Sequence, residues 1–298
     1  MTTNQNRPKI GFALGGGAAR GWAHFGIIRA LAERGIQPDV VCGTSIGALV
    51  GATYVTGKHI EFEQWTRKLR KRDIAALLDF TLGGGLIEGQ RLMDFFVEQM
   101  GKDIQIENLD IPYASVATEL ATGNEIWFKH GPLLPAVRAS ISLPGLFTPV
   151  YINHKWLADG ALVNPVPVSV CRALGAEFVI AIDLNTYLVG KPFRERKKKI
   201  EQQNNSNPDM KAWYEKIVDK MFENGEKDEP GFFDVLSSSI NIMQDRITRS
   251  RMAGDPPDIM LRPDLSEIEL MDFDKAELAI DKGIACVERM SHLFEPLP

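Results

Sequence analysis

Two short stretches hold residues that can do chemistry together: a glycine-rich GGGAARG over residues 15–21 and GTSIG over 43–47. The second matches G-x-S-x-G, in which glycines let a serine stand exposed on a sharp strand-to-helix turn, so Ser45 is a candidate nucleophile flanked by Gly43 and Gly47. A capped strand-to-helix turn of purely structural purpose can carry the same five letters. The first stretch, Gly15, Gly16 and Gly17, offers backbone N–H groups at a helix start, where an oxygen that develops negative charge is stabilised. Two nucleotide-binding readings of that stretch fit poorly. Arg20 occupies the last position of a G-x-G-x-x-G/A fingerprint, and no G-K-[ST] follows at P-loop spacing.

A serine hydroxyl needs a base. The five histidines are His24, His59, His130, His154 and His292. An α/β-hydrolase order would place the histidine last, and His292 lies in a C-terminal helical pattern beside Leu293 and Phe294. Two carboxylates end apolar strand patterns instead: Asp159 in LADGALVNP and Asp183 in IAIDLN. In a parallel sheet such strand ends open onto one crevice, so a carboxylate there can reach Ser45 across a long sequence separation. Asp159-Gly160 is also an ordinary turn former.

The elements that must position these groups follow from the hydropathy pattern. KIGFAL (9–14) and PDVVCG (38–43) read as buried parallel strands, and HFGIIRALAERG and SIGALVGATYVTG as helices, which makes a strand-helix-strand-helix start with right-handed crossovers. Helical patterns follow at 60–79 and 88–100 around the loop TLGGG. YASVATEL and NEIWFKHG then form strands about the turn ATGN, with His154 in a turn between two further strands. Residues 132–142 read as a helix. Asn164-Pro165 reads as N-cap and first position of another, and a strand follows. A helix over 232–252, a strand DIMLRP and a helix from Lys275 to Leu293 complete the pattern.

At this point the chain resembles the patatin-like phospholipase family through four blocks in order: GGGAARG, GTSIG, ASISLPGLFTPV and DGALVNPVP. The resemblance spans about residues 8–185. It implies an α/β fold of three layers with a mainly parallel central sheet flanked by helices. It also implies a Ser-Asp dyad without histidine (Ser45 as nucleophile, Asp159 as its base), an oxyanion hole at Gly15 to Gly17, and Arg20 as the basic position that holds that loop. Gly43, Gly47 and Gly160 support the motif backbones, and Pro144 is a packing element. A serine acyl hydrolase of lipid esters follows, with no cofactor and no metal. Two other readings stay open: a Ser-His-Asp esterase, and a regulatory protein that keeps the fold.

Composition bounds the rest. The 298 residues with 44% apolar content suffice for a substantial core, read here as one domain over 8–298. A net charge of -5 gives no general affinity for nucleic acid. The polar first residues and the lack of an apolar run long enough to span a bilayer lead to an expectation of a cytoplasmic protein that meets a membrane only at its surface. Cys42, Cys171 and Cys286 stand singly among apolar neighbours, as buried thiols do. Residues 190–231 shift to charged and amide-rich composition and read as an insertion, with FRERKKKI (193–200) suited either to water or to an anionic lipid surface. Substrate head group, chain length and oligomeric state have no signature in the chain.

Overall fold

The computed structural model describes residues 7–77, 87–186 and 232–295. The loop TLGGG and the charged segment 190–231 therefore lie outside the described residues, as does the end of the predicted 60–79 helix.

The framework is an eight-stranded sheet. Its strands are β1 (Ile10–Leu14), β2 (Val40–Thr44), β3 (Tyr113–Glu119), β4 (Glu125–Phe128), β5 (Val150–Ile152), β6 (Lys155–Asp159), β7 (Phe178–Ile182) and β8 (Ile259–Leu261). The order is β5-β6-β3-β2-β1-β7-β8, with β4 paired to β3 off that path. Strands β3, β2, β1, β7 and β8 run parallel, whereas β4, β5 and β6 join antiparallel at one end. Nine α-helices occur among the described residues: α1 (Ala23–Ala32), α2 (Ile46–Val55), α3 (His59–Thr66), α4 (Lys71–Leu77), α5 (Gln90–Met100), α6 (Leu133–Ser140), α7 (Val168–Ala173), α8 (Phe232–Gly254) and α9 (Ala276–Arg289). The single predicted helix over 60–79 is thus two helices, α3 and α4.

The alternation of side chains along the central strands sorts the helices into layers. Phe12, Leu14, Val41, Ile180 and Ile182 point to one face, where large residues of α1, α2, α5 and α9 cover them. Ala13, Val40, Cys42, Val179 and Ala181 point to the other, where α7 lies close because these residues are small. A Cβ on Gly11 would meet Ala176 Cβ at 2.6 Å, which shows how little room that layer leaves. All three cysteines are buried free thiols. Burial, and then the neighbouring Cys171, push the Cys42 thiol well above its ordinary value, so it stays protonated.

Two local expectations need correction or detail. Asn164 does not cap α7, which begins at Val168 after Pro167 with no side-chain cap. Its carbonyl accepts from Thr44 Oγ1 at 2.8 Å and its Nδ2 donates to Glu125 Oε1 at 2.6 Å, so it joins three segments instead. His154 does sit in the tight β5–β6 turn, where Asn153 and His154 both have positive φ (49° and 62°), as the twist of a two-residue hairpin requires.

Helices α1 and α9 cross at two glycines: a Cβ on Gly26 would run into the Ile280 carbonyl, and one on Gly283 into the Ala23 carbonyl. Gly26→Ala and Gly283→Ala should each lower the unfolding free energy by about 1–3 kcal/mol in urea titrations. Gly254→Ala, which faces open space at the end of α8, should be neutral or stabilising. Equal effects at all three positions would contradict this close crossing.

Candidate active site

Ser45 follows the last residue of β2 and precedes the first of α2. Its backbone sits at φ 55°, ψ −127°, a conformation that a non-glycine residue adopts only under strain of roughly 1–3 kcal/mol. Neighbours hold it there. A Cβ on Gly43 would collide with the Gly47 carbonyl and the Ala48 backbone, and one on Gly47 with the Leu14 carbonyl. The turn therefore packs backbone on backbone against the glycine loop, and the flanking glycines are required for that approach. The Ser45 N–H donates to Ser140 Oγ at 2.9 Å, and Ser140 Oγ donates onward to the Val116 carbonyl at 2.6 Å, which ties the turn to α6 and β3.

The register of β3 brings Asp159 to this turn. Strand β4 occupies one edge of β3 from Ser115 to Thr118. The other edge is shared in succession by β2, which ends at the Thr44–Val116 pair, and by β6, which begins pairing at Asp159–Ala117. The residue after Thr44 thus arrives beside the residue opposite Ala117. Ser45 Oγ donates to Asp159 Oδ2 at 2.5 Å, and Asp159 Oδ1 accepts from the Ala161 N–H at 2.8 Å. A Cβ on Gly160 would strike the Val116 carbonyl, so the chain can turn away from β3 there only as glycine. Asp159 is fully buried, and that burial raises its carboxyl to about 7 against the opposing effect of its two hydrogen bonds.

The glycine loop divides its N–H groups. Gly15 N–H donates to the Ile182 carbonyl at 3.1 Å and Gly16 N–H to the Pro165 carbonyl at 3.0 Å, so both are engaged in fastening the loop to the sheet. Gly17 and Ala18, the latter at φ 48°, line the cavity that holds Ser45 and Asp159, and among the described residues neither N–H has a protein acceptor. The spacing in the sequence does not single out Ala18. Arg20 Nε donates to the Gly17 carbonyl at 3.1 Å; burial brings its guanidinium down to about 10, with Asp183 opposing, so it remains a cation at neutral pH. His24 Nε2 donates to the Gly15 carbonyl at 2.8 Å, and burial lowers its imidazole to about 4, which keeps it neutral.

The other sequence candidates stand apart. Asp183 is taken up by Thr186 Oγ1 at 2.6 Å and the Asn185 N–H at 3.0 Å, and it lines neither cavity at Ser45. No histidine lines either cavity, and the one nearest the loop in sequence, His24, has its ring bound to a carbonyl. Among the described residues no cluster of His, Cys, Asp and Glu is arranged to hold a metal ion. No described helix is long and apolar enough to cross a membrane.

From Ser45 an apolar cleft runs between α2, α3, α4, α5 and the 141–147 loop, walled by Leu49, Trp65, Leu92, Phe96, Leu146 and Phe147 among others. Arg138 braces its rim. It donates to Ser142 Oγ at 2.7 Å, to the Thr148 carbonyl at 3.0 Å and to the Glu88 carbonyl, while Ile87 N–H bonds the Leu146 carbonyl at 3.0 Å.

A family model described as patatin-like phospholipase matches residues 12–172. An NTE family protein of Mycobacterium bovis is 30% identical over 335 aligned residues, covering 97% of this chain and 92% of its own. Patatin-like phospholipase domain-containing protein 7 of Rattus norvegicus is 36% identical over 59% of this chain and 14% of its own length. Neuropathy target esterase sws of Drosophila melanogaster is likewise 36% identical over 59% of this chain, and the match covers 13% of that protein.

A carboxyl at about 7 in the folded state and ~3.9 unfolded makes a stability signature. The folded state keeps the proton that the unfolded chain releases, so the parent protein loses stability as pH rises from about 4 to 7, and Asp159→Asn removes that loss. Denaturant titrations at pH 5 and pH 8 should show the Asn variant gaining on the parent by about 2–4 kcal/mol at the higher pH. A pH-independent difference would mean that Asp159 titrates normally.

Proposed function

The chain belongs to the patatin-like phospholipase family, and from that premise we propose that it is a serine hydrolase of lipid acyl esters working through a Ser45–Asp159 dyad. The observation that carries this reading is the 2.5 Å hydrogen bond to the buried Asp159 carboxylate from Ser45 Oγ, a serine that also borders the apolar cleft. Membership of the family supports lipid hydrolysis in general; the assignment of roles is ours.

In the proposed reaction the acyl chain lies in the apolar cleft and Ser45 Oγ attacks the ester carbonyl while its proton passes to Asp159 Oδ2. The oxyanion of the tetrahedral intermediate is received by the N–H groups of Gly17 and Ala18, each worth about 3–4 kcal/mol if it matches measured oxyanion donors. Gly15 and Gly16, read from sequence as donors, act instead as the loop's anchors, with Arg20 and His24 holding its carbonyls. Asp159 then protonates the leaving alcohol, and in the second half it takes a proton from the water that attacks the acyl-enzyme and returns it to Ser45 Oγ as the fatty acid departs. A carboxyl near 7 suits both proton transfers at neutral pH. Residues 8–298 are read as one domain, since the described elements of the N- and C-terminal parts share one sheet. The enzyme is read as cytoplasmic, reaching its lipid at a membrane surface. The Ser-His-Asp alternative gains no support, because no histidine lines the cavities at Ser45.

Ser45→Ala should abolish both labelling by a fluorophosphonate and hydrolysis of a long-chain ester; labelling that persists would place the nucleophile elsewhere. Asp159→Asn should lower kcat by about 10²–10⁴ in a folded protein. The kcat/KM of the parent should fall with a one-proton slope below an apparent pKa near 7. A profile flat from pH 5 to 8 would remove Asp159 as the base.

A further inference from the structure

Two cavities meet at Ser45. The apolar cleft is one; the other is lined by Gly17, Ala18, Arg20 and Asp159 together with Asn241 and Gln244 of α8. An ester carbonyl has two substituents that diverge from the carbon under attack. With the acyl chain in the apolar cleft, the alcohol portion faces the second cavity, an inference that rests on the hydrolase reading above.

The orientation of Gln244 follows from a relay of hydrogen bonds. The Gly16 carbonyl can only accept, and it takes Asn185 Nδ2 at 3.0 Å. The same Nδ2 donates to Gln244 Oε1 at 3.1 Å, so the glutamine oxygen is committed and its amide nitrogen is turned away from Asn185. Gln244 is buried, it lines the cavity, and among the described residues no protein acceptor takes its Nε2 hydrogens. Asn241, one turn earlier and half-buried, opens onto the same space. The Arg20 guanidinium adds positive charge to that lining.

We propose that Asn241 and Gln244 form the alcohol-side subsite, donating hydrogen bonds to the oxygens of a glycerol or glycerophosphate leaving group and so setting selectivity for it. A buried donor left unpaired costs about 1–3 kcal/mol, so an alcohol without oxygens is disfavoured there. These residues lie beyond the stretch of the chain that the family model matches.

The test uses the full chain and three dodecanoate esters, of glycerol, of glycerophosphocholine and of n-propanol, assayed below their aggregation concentrations. Gln244→Leu and Asn241→Leu should each lower the selectivity for the glycerol-based esters over the propyl ester, as a ratio of kcat/KM values, by about tenfold. A fall shared by both glycerol-based esters supports contact with glycerol, and a fall confined to glycerophosphocholine supports contact with the phosphodiester. Unchanged ratios overturn the proposal, including the case in which all three rates drop together because Gln244 acts only through Asn185 on the glycine loop. Asn241 does not touch that relay, so its variant keeps the test decisive if Gln244→Leu fails to fold. No turnover of any ester by the parent would instead strike the hydrolase reading, and this inference with it.

Discussion

One edge of β3 is shared by two strands placed end to end, and the rest of the site depends on that arrangement. Because β2 stops opposite Val116 and β6 starts opposite Ala117, a serine that leaves one strand and an aspartate that closes the other occupy adjoining ladder positions though 114 residues separate them. Backbone hydrogen bonds set the separation, and the flexible side chains need only a short reach. The antiparallel end of an otherwise parallel sheet thus has a purpose: an antiparallel strand presents its C-terminal residue toward the carboxyl end of β2 only because it enters from beyond it.

That placement works against stability in two respects. Ser45 is held at a strained backbone conformation, and Asp159 is buried with no ion-pair partner among the described residues. The compensations are local and numerous: Ser140 binds the Ser45 amide, Ala161 binds the carboxylate, and Gly43, Gly47 and Gly160 remove the side chains that would prevent backbone from meeting backbone. The glycine loop is fastened by the same means, with the carbonyls of Ile182 and Pro165 taking two of its amides and Arg20 and His24 taking two of its carbonyls.

What the sequence made legible follows from how local each signal is. Short apolar runs marked β1 and β2 as buried strands, and the elbow glycines were readable because their spacing is a property of one turn. Which N–H groups of the glycine loop are taken up was not: three consecutive glycines look alike, and only the distant carbonyls of Ile182 and Pro165 decide that Gly15 and Gly16 are occupied while, among the described residues, Gly17 and Ala18 have no acceptor. Asn164 read as a helix cap because Asn-Pro commonly is one, but its side chain found Glu125 on β4, a partner no local rule supplies. Asn241 and Gln244 carry no spacing signature, being ordinary amides on an amphipathic helix until the fold turns them toward Ser45.

Helix α8 is anchored about two turns beyond the residues that line the cavity. Arg251, near its C-terminal end, binds Glu125 at 2.6 Å and the Val163 carbonyl at 2.8 Å, and Glu125 in turn holds Asn164 in the turn that follows Asp159. The helix therefore joins the segment that carries Asp159 to the side chains at its middle, Ile240, Asn241 and Gln244, that line the cavity at Ser45. A substitution at Arg251 would therefore untie two parts of the molecule at once, the helix that walls the space at Ser45 and the turn that follows Asp159.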